Sequence, residues 1–248
     1  MTAVLELDDV SRAFGTLRAV DGVTFAVAEG SRHALIGPNG AGKSTLFNVV
    51  GGALRPTSGR VLFAGRDVTA LPEWRRARLG LSRTFQHSSV LLHCTAAENV
   101  LIGVQREAGL GGRLLPAPKR RRALLDRCAA LLDTVGLDGR SGVPAGALSH
   151  GERRQLELAM ALGTRPRLLL LDEPAAGMSP AETARLTTLL RELPAEVTVL
   201  LIEHDLDVVF GLADTVTVLH LGRHLATGTP ERVRADPSVQ SAYLGVAP

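Results

Sequence analysis

The sequence predicts an α/β protein with a mostly parallel sheet, because short apolar strands alternate with amphipathic helices. Two continuous apolar runs, LLLLDEP at residues 168–174 and VTVLLIEHD at residues 197–205, each end in charged residues. Between them, residues 180–193 carry leucines at helical spacing. Apolar strands joined by helices indicate a parallel sheet covered on both faces.

The first part of the chain supplies another strand of this kind. β-rich stretches at residues 4–7 and 23–27 precede RHALIGPNGAGKSTLFNVVGG at residues 32–52, where a short apolar strand meets a glycine-rich turn. A helix follows, and we predict Leu46, Val49, Val50 and Ala53 on its apolar face.

The middle of the chain differs from both ends. From about residue 87 to residue 148 it lacks apolar strands and predicts helices separated by Gly and Pro clusters. We therefore predict one domain, residues 1–248, with a helical subdomain at about residues 87–160 inserted into the α/β core. The tail predicts a hairpin that turns at Gly222 and a short C-terminal helix.

Charge and cysteine content narrow the functional classes. The chain has 28 basic and 25 acidic residues, mixed along its length, so charge does not indicate a nucleic-acid partner. The basic run at residues 119–122 precedes an apolar helical pattern, and we favour a solvated helix start over a phosphate-binding patch. Cys94 and Cys128 have no paired spacing, which fits a reducing cytosol.

No segment has the features of a signal peptide or a membrane span. The first ten residues carry acids where a signal peptide needs a basic start, and no run approaches the roughly 18 apolar residues of a span. If the protein works at a membrane, other chains must cross it.

The segment GPNGAGKST fits the pattern G-x-x-x-x-G-K-[ST] between a strand and a helix. Glycines let successive backbone N–H groups point into one concavity, and the helix N-terminus adds its positive dipole end. In this pattern Lys43 reaches the outer phosphates of a nucleotide and the Ser44 hydroxyl binds Mg²⁺. The chain contains only two lysines, so a chance match is improbable.

Two carboxylates end the second apolar strand. Asp172 and Glu173 should lie at the carboxyl edge of the sheet, where ligands bind in such folds. An Asp there can hold Mg²⁺, usually through water. Glu173 is then placed to accept a proton from the water that attacks a γ-phosphate. A solvated strand end is the alternative, which the neighbouring phosphate loop disfavours.

The histidines give weaker signals. His204 follows the next apolar strand and should reach the same edge, although a lone histidine is more often a surface or capping residue. His220 and His224 have the i, i+4 spacing of a helical metal site. Gly222 and the β-type residues around it disfavour a helix, and with it the metal.

Two helix starts carry the capping-box pattern S-x-x-E, at residues 149–152 and 179–182. Both fit a structural role. At the first, Gly151 removes a side chain from the place where a phosphate would approach free N–H groups, so a ligand role stays open there.

Taken in order, GPNGAGKST, SRTFQ, ALSHGERRQLELAMAL, LLLLDEP and LLIEHD resemble the ATP-binding subunits of ABC transporters over essentially the whole chain. The resemblance implies a P-loop core of the RecA-like type, an N-terminal antiparallel β subdomain and the inserted helical subdomain. It also implies hydrolysis of ATP with Mg²⁺ as the cofactor.

The resemblance assigns roles to individual residues. Glu173 becomes the general base, His204 the switch histidine on the γ-phosphate, and Gln86 a sensor of Mg²⁺ and the attacking water, beside Lys43 as a further catalytic residue. Mg²⁺ would be held by Ser44, Gln86 and Asp172. Phe14 stands where the family stacks an aromatic on adenine, although a core Phe remains the alternative. The implied ATP contacts are Phe14, Gly37, Pro38, Asn39, Gly40, Ala41, Gly42, Lys43, Ser44 and Thr45.

The signature segment, residues 148–152, serves a second subunit in this family. Two subunits pack head to tail, so each ATP lies between one P-loop and the partner's signature helix. The implied contacts in trans are Ser149, His150, Gly151 and Glu152. His150 and Glu152 replace the usual Gly and Gln, and Ser179 stands where many relatives carry Asp. We expect the Glu152 carboxylate to turn back to its own backbone, as a capping box permits.

Several segments, among them ENVLIG, DEPAAGMSPAE and GTPERVRADPSVQSAYLG, most resemble the ATPases of branched-chain amino acid importers and their amide and urea relatives. The implied partners are a second ATPase subunit, two membrane permeases and, indirectly, a periplasmic or extracellular binding protein. The implied location is the cytoplasmic face of the membrane. The alternatives are an exporter or lipid-transporter ATPase and, from another class, an ABC ATPase that acts on DNA or ribosomes.

Overall fold

A computed structural model describes residues 2–84, 90–110 and 118–244 of the chain. Gln86 therefore lies outside the described residues. The strands are β1 (Ala3–Phe14), β2 (Leu17–Ala28), β3 (Arg32–Ile36), β4 (Ser58–Phe63), β5 (Arg66–Asp67), β6 (Leu81–Arg83), β7 (Leu168–Asp172), β8 (Thr198–Ile202), β9 (Thr215–His220) and β10 (Arg223–Gly228).

The helices connect these strands and form a separate group in the middle of the chain. They are α1 (Lys43–Gly51), α2 (Glu73–Arg78), α3 (Ala96–Glu107), α4 (Pro118–Thr134), α5 (His150–Gly163), α6 (Pro180–Glu192), α7 (Leu206–Leu212), α8 (Pro230–Ala235) and α9 (Pro237–Leu244). A single 3₁₀ turn, Ala145–Ala147, precedes α5.

The larger sheet has the strand order β10-β9-β3-β8-β7-β6. Every pair from β9 to β6 is parallel, and only the β9–β10 hairpin is antiparallel. Each residue of β3, β7 and β8 is buried, as expected for strands covered on both faces. The predicted parallel sheet is confirmed. The carboxyl ends of β3, β8 and β7 lie side by side at one edge.

A second, antiparallel sheet has the order β2-β1-β4-β5. In β2 the residues Val23, Phe25 and Val27 are buried while their neighbours are exposed or partly exposed, the period-two pattern of a strand with one covered face. Their side chains join Leu46, Phe47 and other residues of α1 in one apolar core. The expected N-terminal antiparallel β subdomain is therefore present.

The contact pattern divides the chain into two compact units. The first contains Met1–Arg83, Arg167–Pro174 and Leu190–Pro248, and the second contains Thr84–Pro166 and Ala175–Leu189. The second unit is helical, but it extends beyond residue 160 and takes in the first part of α6, which the sequence placed in the α/β core. The predicted boundaries of the inserted subdomain, residues 87–160, therefore stay a prediction.

Two buried arginines of the first unit cap the C-terminal ends of helices. Arg76 donates to the carbonyls of Val49 (2.8 Å) and Val50 (2.6 Å) at the end of α1. Arg32 donates to the carbonyl of Leu190 (3.1 Å) at the end of α6. Burial lowers the pKa of Arg76 to about 10. Both cations donate to carbonyls in the last turn of a helix and oppose the negative end of the helix dipole.

In the second unit, α3 packs closely on α5. A Cβ atom at Gly103 would lie 2.6 Å from the carbonyl oxygen of Met160, so only glycine allows this approach. The buried Asn99 of α3 accepts from the N–H of Leu91 (2.8 Å) and donates to the Thr95 carbonyl (2.9 Å). It thereby fixes the segment that leads into the helix.

Local predictions met different outcomes. The hairpin at Gly222 is confirmed, and His220 and His224 lie on its strands rather than on a helix. The prediction for Ala53 was wrong, because α1 ends at Gly51, Gly52 adopts φ 91° as its C-cap, and Ala53 is exposed. Of the helices in the described ranges, none is long and apolar enough to cross a membrane.

Candidate functional site

The predicted phosphate loop connects β3 to α1. It contains two glycines with a backbone conformation that other residues rarely adopt. Gly40 and Gly42 have φ of 79° and 94°. A Cβ atom at Gly42 would lie 2.3 Å from the carbonyl oxygen of Ala19, and one at Gly37 would lie 2.2 Å from that of Leu219. The backbone of neighbouring segments therefore packs so closely against the loop that a side chain would not fit at these two positions.

Lys43 closes this loop. Its ammonium donates to the carbonyls of Gly37 (2.6 Å) and Pro38 (2.9 Å). Partial burial lowers the pKa of Lys43, and the negative charge of Glu173 partly opposes that effect. The cation is thus held at the loop in the place where it could meet the outer phosphates of a nucleotide.

The N-terminus of α1 has no side-chain cap. Its N-cap is Gly42, which makes no side-chain hydrogen bond, and the first turn holds no acidic residue. Pro38 and Asn39 precede the glycine, Ala41 is buried, and Thr45 continues the helix. N–H groups at an uncapped helix start, beside a cation, form a binding site for anions.

Ser44 and Asp172 are the described residues that the sequence predicts as oxygen donors to a magnesium ion. Ser44 lies exposed in the first turn of α1, and Asp172 is the buried last residue of β7. A hydroxyl and one carboxylate suit Mg²⁺ that also binds nucleotide phosphates and water. In the ranges that the structure describes, no three His, Cys, Asp or Glu side chains come together to hold a metal.

Glu173 leaves β7 in an unusual conformation. Its φ is 48°, although it is not a glycine, and its N–H donates to the Ile202 carbonyl of β8 (3.0 Å). A non-glycine residue in the left-handed region carries strain of order 1 kcal/mol or more, which tends to persist at functional sites. The turn leaves the carboxylate 38% exposed at the edge of the sheet.

His204 comes to the same edge from β8. Its Nδ1 lies 3.8 Å from Oε1 of Glu173 and 3.8 Å from Oε2 of the buried Glu203. The structure thus brings together Glu173 and His204, as the sequence predicted for adjacent strand ends. The roles of base and switch stay predictions.

Phe14 ends β1 and is 45% exposed, which rules out the alternative of a core residue. The guanidinium of Arg12 lies over its ring, 4.6 Å from the centroid. A flat, exposed ring with a cation on one face can receive a base on the other.

The helix α5 begins with the expected capping box. The Ser149 hydroxyl accepts from the Glu152 N–H (3.1 Å), and the Glu152 carboxylate accepts from the Ser149 N–H (2.8 Å). This second hydrogen bond is the main cause of the lowered pKa of Glu152, and Arg140 binds the other carboxylate oxygen at 3.0 Å. The prediction that Glu152 turns back to its own backbone is confirmed.

The other residues of the signature segment contact the start of α6. The His150 Nε2 lies 3.3 Å from the carbonyl oxygen of Ala176. A Cβ atom at Gly151 would lie 2.2 Å from Oε1 of Glu182, which itself accepts from the Ser179 hydroxyl (2.7 Å). A side chain at position 151 would therefore displace the Glu182 carboxylate, a contact that no local sequence pattern predicts.

The sequence did not single out three further residues that lie near the phosphate loop and Asp172, namely Arg83, Asn48 and Tyr243. Arg83 contacts both Asn48 (2.7 Å) and Asp172 (3.3 Å). Burial raises the pKa of Tyr243 in α9 to about 12, and a hydrogen bond with the backbone of Gly37 partly opposes the shift. These contacts join residues far apart in the chain, so no local pattern could reveal them. Gln86 lies outside the described residues, and its role stays a prediction.

Comparison with known proteins identifies the class. A family profile described as ABC transporter matches residues 20–176, and one described as branched-chain amino acid ATP-binding cassette transporter matches residues 223–248. The chain belongs to the family of ABC transporter ATP-binding proteins, and the resemblance stated from its motifs is confirmed.

The relatives are similar over their whole length. The high-affinity branched-chain amino acid transport ATP-binding protein LivG of Salmonella typhimurium is 42% identical, and the match covers 98% of each chain. The lipopolysaccharide export system ATP-binding protein LptB of Acidithiobacillus ferridurans is 36% identical over 99% of this chain and 98% of its own. A crystal structure of an ABC transporter ATP-binding cassette in its ADP conformation has a TM-score of 0.86, with 32% identity over 99% of this chain and 100% of its own.

Proposed function

We propose that this chain is the ATP-hydrolysing subunit of an importer for branched-chain amino acids or related amides, acting on separate permease subunits. The observation that carries the proposal is the edge where β3, β8 and β7 end. It joins an uncapped phosphate loop to Asp172, Glu173 and His204. The match of residues 223–248 to the branched-chain family profile supports the choice of substrate class.

In the proposed reaction, the loop N–H groups and Lys43 bind the phosphates of ATP, and Phe14 stacks on adenine. Ser44 and Asp172 would hold Mg²⁺, with Gln86 as a further ligand, and the ion when bound would neutralise charge on the β- and γ-phosphates. Glu173 accepts a proton from water as the water oxygen bonds to the γ-phosphorus. The bond between that phosphorus and the bridging oxygen breaks, and ADP leaves.

The second half of the site comes from another subunit. Ser149 of the partner subunit and the N-terminus of its α5 would contact the γ-phosphate, as the family resemblance implies. A serine hydroxyl has one donor and two acceptor sites, so it can cap its own helix and still donate to a phosphate. The Glu152 charge is engaged by a backbone N–H and Arg140, which lessens its repulsion of that phosphate.

The partners follow from this arrangement. We propose a second ATPase subunit, identical or similar, and two permeases that position the pair at the cytoplasmic face of the membrane. A periplasmic or extracellular binding protein would deliver the amino acid. Export is the second candidate, because the exporter relative LptB is 36% identical. Neighbouring genes for a binding protein, two permeases and a second ATPase would favour import, whereas genes for an export pathway would contradict it.

Glu173→Gln tests the assignment of the base. We expect hydrolysis to fall by about 100-fold or more, because the amide cannot accept the proton of the attacking water. ATP should then hold a dimer that size-exclusion chromatography detects with Mg²⁺ present. Glu192→Gln, at an exposed position of α6, is the matched control and should hydrolyse ATP normally. Wild-type turnover by the Glu173 variant would contradict the proposed role.

A further inference from the structure

Arg83 lies at the end of β6, beside the strand that carries Asp172. β6 pairs in parallel with β7, and Arg83 stands opposite Leu170, two residues before Asp172. The side chain of Arg83 is 11% exposed and that of Asp172 is 8% exposed. The two charges are therefore removed from most of the solvent.

The guanidinium of Arg83 bridges two elements of the site. Its Nη1 donates to Oδ1 of Asn48 in α1 at 2.7 Å, and its Nη2 donates to Oδ2 of Asp172 in β7 at 3.3 Å. Its carbon Cζ also lies 5.2 Å from the centroid of the Phe47 ring. A planar fork of donors can hold two acceptors in a fixed relation, which a lysine ammonium on a flexible stem does not.

The two residues of α1 that Arg83 contacts lie one helical turn after the predicted nucleotide-binding residues Lys43 and Ser44. Asn48 is four residues after Ser44, and Phe47 is four residues after Lys43, so each pair shares a face of the helix. Arg83 thus contacts the face of α1 that carries Ser44 through Nη1, while Nη2 donates to Asp172. One side chain links Asp172 to the helix that carries Ser44, the other oxygen donor that would bind Mg²⁺.

A purely structural ion pair is the simpler explanation, but it accounts poorly for these contacts. Burying an ion pair costs desolvation that the mutual attraction only partly offsets, so such pairs add little stability over apolar residues. The shorter hydrogen bond also goes to the neutral Asn48 rather than to Asp172. Arg83 is therefore anchored on α1 as well as on Asp172, so its position is not set by the ion pair alone.

We propose that Arg83 is a positioning residue that keeps Asp172 in register with Ser44 and thereby sets the affinity of the site for Mg²⁺. This inference rests on the proposed function. Arg83 does not touch nucleotide in this scheme; it acts through Asp172 and Asn48.

Arg83→Lys tests the proposal, since it keeps the charge and removes the fork. The affinity for the non-hydrolysable analogue AMP-PNP is measured by calorimetry with Mg²⁺ and again with EDTA. We expect affinity in EDTA to stay within about twofold of wild type and affinity with Mg²⁺ to fall about tenfold, the size typical of losing a group that orients a metal ligand. The Mg²⁺ concentration for half-maximal hydrolysis should rise equally, with kcat at saturating Mg²⁺ nearly unchanged.

Asn48→Ala provides a second variant that keeps both charges and removes only the anchor on α1. We expect about a threefold loss in the same Mg²⁺-dependent affinity, smaller because the pair with Asp172 remains. Arg127→Lys is the matched control, because Arg127 pairs with Glu107 at 2.6 Å in the helical unit and has no part in the site. It should leave the Mg²⁺ dependence unchanged.

The outcomes separate the inference from the proposed function. Equal losses in EDTA and in Mg²⁺, or an unchanged Mg²⁺ requirement in both variants, would overturn the role of Arg83. A wild-type protein that neither binds AMP-PNP nor hydrolyses ATP would overturn the proposed function itself.

Discussion

The helices α1 and α5 both begin at a proposed nucleotide contact, but their first turns are built in opposite ways. Helix α1 starts at Gly42 with no side-chain cap and no acid in its first turn. Helix α5 starts at Ser149 with a complete capping box and Glu152 in its first turn. One start leaves its N–H groups for a ligand, and the other satisfies part of its own.

The difference shows how the N-terminus of a helix can serve two kinds of contact. An uncapped start with a nearby cation can bind phosphate within one chain, so α1 fits a primary site. A capped start keeps its helix ordered without ligand and offers only the Ser149 hydroxyl and the remaining N–H groups. Helix α5 therefore suits a contact that forms after another subunit has bound the nucleotide.

Removing the cation at α1 should give the largest effect. We expect Lys43→Ala to weaken ATP binding by about 10- to 100-fold, because charge-assisted hydrogen bonds contribute about 1.5–3 kcal/mol each. Isothermal calorimetry with the monomer measures it. Lys119→Ala is the matched control, as Lys119 is the other lysine of the chain and is exposed. An unchanged affinity in Lys43→Ala would show that α1 is not the primary site.

Removing the cap at α5 should affect hydrolysis and spare binding. We expect Ser149→Ala to lose most ATPase activity, to keep ATP affinity within about twofold, and to lose about 1 kcal/mol of unfolding free energy. Thr95→Ala removes the similar capping hydrogen bond at the start of α3 and should cost similar stability while retaining most activity. If both variants lose activity equally, loss of a cap explains the result and the contact in trans does not.

Acid should weaken the capped start only slightly. The Ser149 N–H holds the pKa of Glu152 below its ordinary value of 4.5, so this contribution to stability is present above that pH and disappears as pH falls through the lower folded value. We expect Glu152→Gln to lose stability at pH 7, on the order of 0.5 kcal/mol, and to approach wild type in stronger acid.

Urea unfolding across the acid range measures this effect, with the exposed Glu196→Gln as the control. A constant difference between Glu152→Gln and wild type at every pH would mean that the Glu152 charge contributes nothing to the cap.

The sequence predicted those parts of the fold and site that depend on local patterns. The apolar runs of β7 and β8, the loop at Gly37 and the capping box at Ser149 each lie within a few neighbouring residues. The Arg83 bridge and the approach of Glu182 to Gly151 depend instead on which strands and helices become neighbours. Glu173, whose φ is positive, likewise donates a hydrogen bond to β8, a strand about thirty residues further along the chain.

Because lysine is scarce in this chain, chemical labelling of amines can report on Lys43. Amine-reactive reagents meet two lysine side chains in this protein, one in the phosphate loop and one exposed on α4. Because burial lowers the pKa of Lys43, a larger fraction of its amine is neutral and nucleophilic at a given pH. Bound nucleotide would shield that amine while Lys119 continued to react. The ratio of label at the two sites, read by mass spectrometry, would report nucleotide occupancy without a labelled nucleotide.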